Sequence, residues 1–275
     1  MTPLATAEPI TQQDTLLKVR DLSVWLGTGS ARNQVLYDVD LSVPRGQTVG
    51  LVGESGSGKS TLAKTIMGIH QASAGSIDFQ GENILGLRGR RQRALWRDIQ
   101  MIPQDPYSSL DPRRTVGETI AEAIDPKRAS VRRLRSGIHR WLDVVALDAD
   151  AIDRYPHEFS GGQRQRIAIA RALSVEPALV IADEITSALD LTTQAEILNL
   201  LSDLKKRLQL TMVFISHNLA VVRHVSDQVA VMLHGVMVES GNEQEIFENP
   251  THEYTQKLMA SVPGGPGFTL SAPTD

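Results

Sequence analysis

The strongest constraint on the fold is a glycine-rich loop that follows an apolar run and precedes a helical pattern. Residues 48–52 are mostly apolar, which predicts a buried strand, and they lead directly into the loop. After the loop, Leu62, Ile66 and Ile69 recur at helical spacing, which predicts a helix from residue 58 to about residue 69 with one buried face. A strand, a glycine loop and a helix in this order form the setting that a phosphate-binding loop requires.

The loop has the composition that phosphate binding needs. Its glycines allow positive φ and a close approach of backbone N–H groups to phosphates, and the following helix points its positive end at them. Lys59 is predicted to reach the β- and γ-phosphates of ATP, and Ser60 to offer a hydroxyl ligand to Mg²⁺. A chance glycine-rich turn is the alternative, and the strand–helix setting argues against it. The predicted nucleotide-binding residues here are Gly53, Glu54, Ser55, Gly56, Ser57, Gly58, Lys59, Ser60 and Thr61.

Two acidic residues and a histidine follow later strand patterns. Asp183 and Glu184 come directly after the apolar run 179–182, and His217 comes after residues 212–216. Carboxylates at the carboxyl end of a parallel strand lie where open α/β sheets bind ligands. We expect Asp183 to hold Mg²⁺ through water and Glu184 to polarise the attacking water. Taken alone, the pair could be two solvated loop acids, and a lone histidine at a strand end is more often structural.

A second helix start carries the pattern of a phosphate site. Ser160, Gly161, Gly162 and Gln163 precede a helical pattern over residues 164–174, and Ser160 is predicted to cap that helix. The glycines would allow close backbone approach. A capped helix without a ligand is the alternative. Gln104 lies where strand-like runs give way to helical patterning, a position that suits a hinge.

The composition excludes several classes of protein and disfavours others. The chain has 275 residues, a formal charge of -4 and no cysteine. Disulfides and thiolate metal sites are therefore excluded, and the charge does not favour nucleic-acid binding. The arginine-rich stretches 88–97 and 132–135 are predicted to be solvated helical faces. No run approaches the 18 or more apolar residues of a membrane helix, so we expect any membrane role to depend on partners.

The order of patterns predicts an α/β fold. Strands are also predicted at residues 16–19, 35–43 and 211–216, and a helix near residues 194–208. Strands that alternate with helices favour a mostly parallel sheet. Residues 15–262 form the predicted domain, with a helical subdomain at about 105–162. We expect residues 1–14 to be a disordered leader and residues 263–275 a disordered tail.

The ordered set of loop, Gln104, Ser160–Gln163, acidic pair and His217 resembles the ATP-binding cassette (ABC) family over nearly the whole chain. The resemblance implies a P-loop NTPase (RecA-like) core with a mostly parallel sheet, plus an antiparallel β subdomain and an inserted helical subdomain. It implies that Gln104 senses Mg²⁺ and the γ-phosphate, and that His217 contacts the γ-phosphate and the attacking water. Catalytic residues are thus Glu184, His217 and Gln104, and the predicted metal-binding residues are Ser60, Gln104 and Asp183.

The same resemblance implies a site shared between two chains. In the family, a motif such as Ser160–Gln163 closes over the ATP held by the opposing subunit, and residues 187–190 form the contact between the sites. Such a motif has no use inside a single nucleotide site.

Four stretches resemble one branch, the oligopeptide, dipeptide and nickel importers, at residues 104–112, 159–166, 194–198 and 249–255. This branch implies two transmembrane permease subunits and a second ABC ATPase subunit, either a paralogue or another copy. It also implies an extracytoplasmic substrate-binding protein, no nucleic acid, and a peripheral location at the cytoplasmic face of the inner membrane. Peptide import is preferred. The alternatives are import of nickel or another small solute, an exporter subunit, and a soluble cassette ATPase in cofactor assembly.

Three positions depart from the family's pattern. Ile185 stands where proline usually follows the catalytic glutamate, and Glu253 replaces the proline of the tail motif. The position where the family has an aromatic residue that stacks on adenine is occupied by Leu26, with Trp25 beside it. Either position therefore stays open as the adenine contact.

Overall fold

The computed structural model describes residues 14–105 and 109–260. Except for Asp14, the predicted leader lies outside the described residues, and so does the whole predicted tail. Residues 106–108 of the importer-like stretch also lie outside them.

The described strands form two sheets. In chain order they are β1 (Thr15–Leu26), β2 (Asn33–Pro44), β3 (Thr48–Val52), β4 (Ala74–Phe79), β5 (Glu82–Asn83), β6 (Ile99–Ile102), β7 (Leu179–Asp183), β8 (Thr211–Ile215), β9 (Gln228–Leu233) and β10 (Val236–Asn242). The larger sheet has the order β10-β9-β3-β8-β7-β6, and only β10 in it runs antiparallel to its neighbour. The smaller sheet, β2-β1-β4-β5, is antiparallel throughout. The predicted mostly parallel core with an added antiparallel sheet is confirmed.

The described helices flank these sheets. They are α1 (Lys59–Ile66), α2 (Gly89–Asp98), α3 (Val116–Ile124), α4 (Val131–Val144), α5 (Gly161–Leu173), α6 (Leu191–Leu208), α7 (Leu219–Val225), α8 (Glu243–Glu248) and α9 (Glu253–Ala260). Short 3₁₀ turns occur at Gly29–Ala31, Ala149–Asp153 and Pro156–Glu158. Within the described residues, no helix is both long and apolar enough to cross a membrane.

The parallel sheet separates two hydrophobic cores. Successive side chains of a strand point to opposite faces, so Val213 and Ile215 pack in the core shared with the antiparallel sheet. Met212 and Phe214 pack in the other core, the helical-side core, which contains most of the helices. All five residues of β8 are buried, as expected of a strand covered on both faces. This double coverage explains why the parallel strands β7 and β8 were recognisable as continuous apolar runs.

Between β6 and α5 the chain forms α3, α4 and two of the 3₁₀ turns. Thr115 and Glu118 close a reciprocal capping box at the start of α3. Ile138 and Leu142 of α4 are fully buried in the same core as α5. As predicted, the arginines of both arginine-rich stretches are exposed, and they lie at the start of α2, within α2 and on α4. The division of the chain into subdomains at 105–162 stays a prediction.

The predicted extent of the first helix was wrong at its end. Helix α1 ends at Ile66 rather than near Ile69, because Gly68 adopts a left-handed conformation with φ of 70°. The N–H of Ile69 then bonds to the carbonyl of Lys64, which terminates the helix in the manner of a glycine C-cap. Ile69 is 59% exposed and does not belong to the buried face. Strands β4, β5, β6, β9 and β10 were not predicted.

Candidate active site

The candidate site lies at the carboxyl ends of three neighbouring strands. β3 leads into the glycine loop, β7 ends at Asp183, and β8 is followed by Ser216 and His217. These strands are parallel and adjacent in the order β3-β8-β7. Their carboxyl ends therefore open on one edge, the place where open α/β sheets bind ligands.

Two glycines of the loop cannot be replaced without a collision. At Gly53, φ is 145° and a Cβ would lie 2.0 Å from the carbonyl oxygen of Met232. At Gly58, φ is 105° and a Cβ would lie 2.7 Å from a methyl carbon of Leu36. Both positions combine a left-handed backbone with close packing, so only glycine fits. The loop consequently has no side chain at these two positions, where its backbone packs closely against Met232 and Leu36.

Lys59 is buried, and the glycine loop forms a cradle around its ammonium. Its ammonium donates to the carbonyls of Gly53 and Glu54, at 2.8 and 2.7 Å, and to the hydroxyl of Ser57 at 3.1 Å. Burial lowers the pKa of the Lys59 ammonium, while nearby carboxylates, first that of Glu184, act in the opposite direction. A cation held in this way can neutralise the charge of a bound polyphosphate.

Ser60 and Asp183 are brought together across the loop and β7. The hydroxyl of Ser60 donates to Oδ1 of Asp183 at 3.3 Å, and Asp183 is buried. Burial raises the pKa of Asp183, although the hydrogen bond from Ser60 opposes that change. A hydroxyl and a carboxylate beside a phosphate cradle are the oxygen donors that Mg²⁺ prefers. These two residues fit the predicted metal site.

Glu184 is held by both Gln104 and His217. The amide nitrogen of Gln104 donates to one carboxylate oxygen at 2.9 Å, and Nδ1 of His217 lies 3.4 Å from the other. The Gln104 amide also reaches the hydroxyl of Ser187 at 3.3 Å. The three predicted catalytic residues therefore meet at one point. In the described residues, Gln104 forms no hydrogen bond with Ser60 or Asp183, so its role as a metal ligand stays a prediction.

The backbone of Glu184 is strained. Its φ is 48°, a left-handed value that is uncommon for a residue with a side chain. The N–H of Glu184 donates to the carbonyl of Ile215 at 2.9 Å, which fixes this conformation from the neighbouring strand. Ile185, at the position where the family has proline, is buried in the helical-side core. Strain of this kind costs about 1–3 kcal/mol and persists where the surroundings determine it.

The predicted second phosphate site is a capped helix start. The hydroxyl of Ser160 accepts from the N–H of Gln163 at 3.3 Å, and the side chain of Gln163 accepts from the N–H of Ser160 at 3.0 Å. Ser160 and Gln163 are exposed, while Gly162 is buried. In the part of the chain that the structure describes, no hydrogen bond joins Ser160–Gln163 to the glycine loop. The motif therefore faces solvent rather than completing the site of its own chain.

Gly162 has a packing role that the sequence did not reveal. A Cβ at this position would lie 2.3 Å from the methyl carbon of Thr193, near the start of α6. Thr193 in turn bonds to Asp190 through its N–H and its hydroxyl, each at 2.9 Å. The start of α5 thus packs against Thr193, which bonds to Asp190 at the end of the segment 187–190 that was predicted to lie between the sites.

Trp25 and Leu26, the two candidates for the adenine contact, differ in their exposure. Trp25 is 41% exposed, and the guanidinium of Arg32 lies 5.6 Å from the centre of its ring. Leu26 packs against the core beside the antiparallel sheet. An exposed aromatic face suits base stacking, so Trp25 is the better candidate of the two.

Sequence reasoning missed one contact at the loop. The N–H of Glu54 donates to the phenol oxygen of Tyr254 at 3.0 Å, although 200 positions separate the two residues. The stretch 249–255 was singled out only as a family resemblance. No local pattern could place it on the loop, because this contact depends on the packing of α9.

The fold and this site define a P-loop nucleotide-binding protein. Residues 36–187 match the family described as ABC transporter. The oligopeptide transport ATP-binding protein OppF of Bacillus subtilis is 44% identical over 251 residues, 90% of this chain and 82% of that protein. The chain belongs to the ABC transporter family, and it is an ATP-binding cassette with ATPase chemistry.

Two solved structures share the fold. One is cbiO1 from Clostridium perfringens, described as part of the ABC transporter complex cbiONQ, with a TM-score of 0.75 and 28% identity over 90% of this chain and 95% of that one. The other is the ATP-binding cassette MJ0796 in a dimeric state bound to ADP and Pi, with a TM-score of 0.73 and 27% identity over 82% of this chain and 98% of that one.

Proposed function

We propose that this chain is the ATP-hydrolysing subunit of a peptide importer. The observation that carries the substrate class is the 44% identity to OppF, an oligopeptide transport protein, over 90% of the chain. The importer-like stretches of the sequence favour the same branch. Two transmembrane permeases, a second cassette and an extracytoplasmic binding protein would complete the transporter, with this chain at the cytoplasmic face of the membrane.

The proposed roles in ATP binding follow from the cradle. N–H groups of the loop and the ammonium of Lys59 would hold the phosphates, and Trp25 would stack on the adenine. Ser60 and Asp183, whose oxygens lie 3.3 Å apart, would hold Mg²⁺, which neutralises phosphate charge when bound.

The proposed hydrolytic step places Glu184 as the group that polarises water. The water oxygen would attack the γ-phosphorus while the bond to the β–γ bridging oxygen breaks, releasing ADP and phosphate, and Glu184 would accept the proton. Gln104 and His217 orient the carboxylate, since each contacts a different oxygen of it. A carboxylate fixed on both sides does not need to reorganise during the reaction.

The proposed site spans two chains. The helix start at Ser160–Gln163 is capped, the side chains of Ser160 and Gln163 are exposed, and neither bonds to the glycine loop of its own chain in the described residues; such a motif is free to close over ATP held by a second cassette. The dimeric state of the structurally similar cassette MJ0796 supports this proposal. Closure of the two cassettes over ATP would then move Gln104, which contacts Glu184 and precedes α3 and α4 in the chain.

Uptake in cells tests the function directly. A strain that lacks the chain's gene would be complemented with the wild type or with Glu184→Gln, and uptake of a labelled tripeptide and of ⁶³Ni²⁺ would be measured. We expect peptide uptake only with the wild type, and no change in nickel uptake. Nickel uptake that follows the wild type would instead favour the nickel alternative. Normal uptake of both solutes without the chain would contradict a peptide or nickel importer and leave the remaining alternatives, including a cassette ATPase in cofactor assembly.

Purification from solubilised membranes tests the partners. Mass spectrometry of proteins that copurify with the full chain is expected to show two permeases, with or without a second cassette. Reproducible recovery of soluble proteins alone would contradict the proposed assembly while leaving the ATPase chemistry intact.

A further inference from the structure

Helix α9 reaches the phosphate loop through one hydroxyl group. The phenol oxygen of Tyr254 accepts the N–H of Glu54, the second residue of the loop, at 3.0 Å. The proposed function assigns no role to α9 or to Tyr254. The contact nevertheless lies inside the cradle that is proposed to hold ATP.

The peptide groups of Glu54 are held from two directions. Tyr254 accepts from its N–H, and the ammonium of Lys59 donates to its carbonyl at 2.7 Å. Ser57 also bonds to that carbonyl, through its own N–H at 3.1 Å. The carbonyl of Glu54 is therefore one of three acceptors that place the ammonium of Lys59, and Tyr254 holds the same residue from outside the loop.

The turn before Tyr254 is built to hold this side chain in place. One carboxylate oxygen of Glu239 accepts the N–H and the hydroxyl of Thr251, each at 2.7 Å, and the other accepts the N–H of His252 at 3.1 Å. Nδ1 of His252 then accepts the N–H of Tyr254 at 3.1 Å. Four hydrogen bonds thus link Glu239 of β10 to Tyr254, whose phenol contacts the loop.

The helix does not depend on the hydroxyl for its folding. Thr255 and Met259 of α9 are buried, and the ring of Tyr254 packs against the helical-side core. Loss of the phenol oxygen alone would remove one hydrogen bond and leave the apolar packing of the ring unchanged. The contact to the loop can therefore be separated experimentally from the stability of the C-terminal region.

We propose that Tyr254 is a positioning residue for nucleotide binding, which holds the first turn of the phosphate loop so that Lys59 meets the phosphates of ATP. The hydrogen bonds of Thr251 and His252 to Glu239, which form a clamp on the turn, keep the phenol of Tyr254 beside the loop. This inference rests on the proposed function only in taking ATP as the ligand of the loop.

The test compares the full-length wild type with Tyr254→Phe. Calorimetry with MgATP is expected to give a Kd raised about 2- to 10-fold, the range of one neutral hydrogen bond. The KM for ATP should rise by a similar factor, while kcat stays within about 2-fold because Glu184 and its neighbours are untouched. The melting temperature should fall by no more than a few degrees, as expected for the loss of one hydrogen bond, and hydrogen exchange at the Glu54 amide should become faster.

Glu239→Gln is the second variant, since its amide would oppose the N–H of His252 and loosen the clamp. It should also raise the Kd, and the double variant should show less than the sum of the two effects, because both act on one contact. Lys257→Ala, which removes only the surface ion pair with Glu253 on the same helix, is the matched control and should match the wild type.

Two outcomes would overturn the inference while sparing the proposed function. One is a Tyr254→Phe chain with wild-type Kd and wild-type exchange at Glu54. The other is a fall in kcat at constant KM, which would place Tyr254 in the chemical step. A wild-type chain that binds no ATP would instead defeat the proposed function, whereas the exchange measurement would still report on the contact.

Discussion

The amide nitrogen of Gln104 lies 2.9 Å from a carboxylate oxygen of Glu184. This hydrogen bond joins Gln104, two residues beyond the end of β6, to Glu184, the residue directly after β7, at the edge where the candidate site opens. Gln104 also lies on the chain segment that leads to α3 and α4. We therefore expect a displacement of those helices to reach Glu184 through this hydrogen bond, which would couple hydrolysis to movement.

Glu184→Gln is expected to slow ATP turnover by about 10²–10⁴-fold, because the amide keeps the shape of the side chain but cannot accept the proton. ATP binding should persist, so an ATP-dependent dimer or closed complex should accumulate. Phosphate release and size-exclusion chromatography with ATP would measure the two effects. Turnover at the wild-type rate would refute the assignment of Glu184 as the polarising group.

Ser160→Arg is expected to spare ATP binding by the isolated chain and to abolish hydrolysis in the assembled transporter, because the bulky cation would obstruct the facing site. The substitution also removes a helix cap, which costs about 0.5–2 kcal/mol. Thr115→Ala removes the cap of α3 and is the matched control for that loss. The control should hydrolyse ATP normally. If both variants lose hydrolysis equally, the cap and not the shared site explains the effect.

Gly162→Ala is expected to destabilise the fold by about 1–3 kcal/mol, since the new methyl would collide with Thr193, whose Cγ2 lies 2.3 Å from the ideal Cβ position. Thr193→Ser removes the opposing methyl and keeps the hydroxyl that bonds to Asp190. The double variant should recover most of the lost stability in urea unfolding. A Cβ at Gly161 would meet only a carbon of Leu189 at 3.6 Å, so Gly161→Ala should unfold like the wild type. No recovery in the double variant would show that the collision is not the cause.

Asp183→Asn is expected to raise the melting temperature at pH 7 while reducing Mg²⁺-dependent hydrolysis. Burial raises the folded-state pKa of Asp183, so its contribution to stability is present below its unfolded value of 3.8 and is lost as the pH rises through the folded pKa. An uncharged asparagine avoids that loss. The gain should therefore be constant at high pH and shrink as the pH falls toward 3.8. Thermal unfolding at several pH values would measure it, and equal melting temperatures at pH 7 would contradict the burial argument.

Local pattern predicted the strand–loop–helix unit well. The predicted strand at residues 48–52 coincides with β3, and both β7 and β8 were located to within one residue. These elements are recognisable because a strand buried on both faces must be continuously apolar. β6 was missed because it has only four residues, two of which are half-buried. β10 was missed because it lies at the sheet edge and contains four polar residues or glycines.

By itself, the sequence determined the candidate site residues, since the glycine loop, the acidic pair and the capping serine are defined by spacing within a few positions. Only the tertiary structure decided how these residues meet. It placed Gln104 and His217 on the two oxygens of Glu184, Thr193 behind Gly162, and Tyr254 on the loop. Such contacts join residues from separate elements, and they depend on strand order and helix packing rather than on any local periodicity.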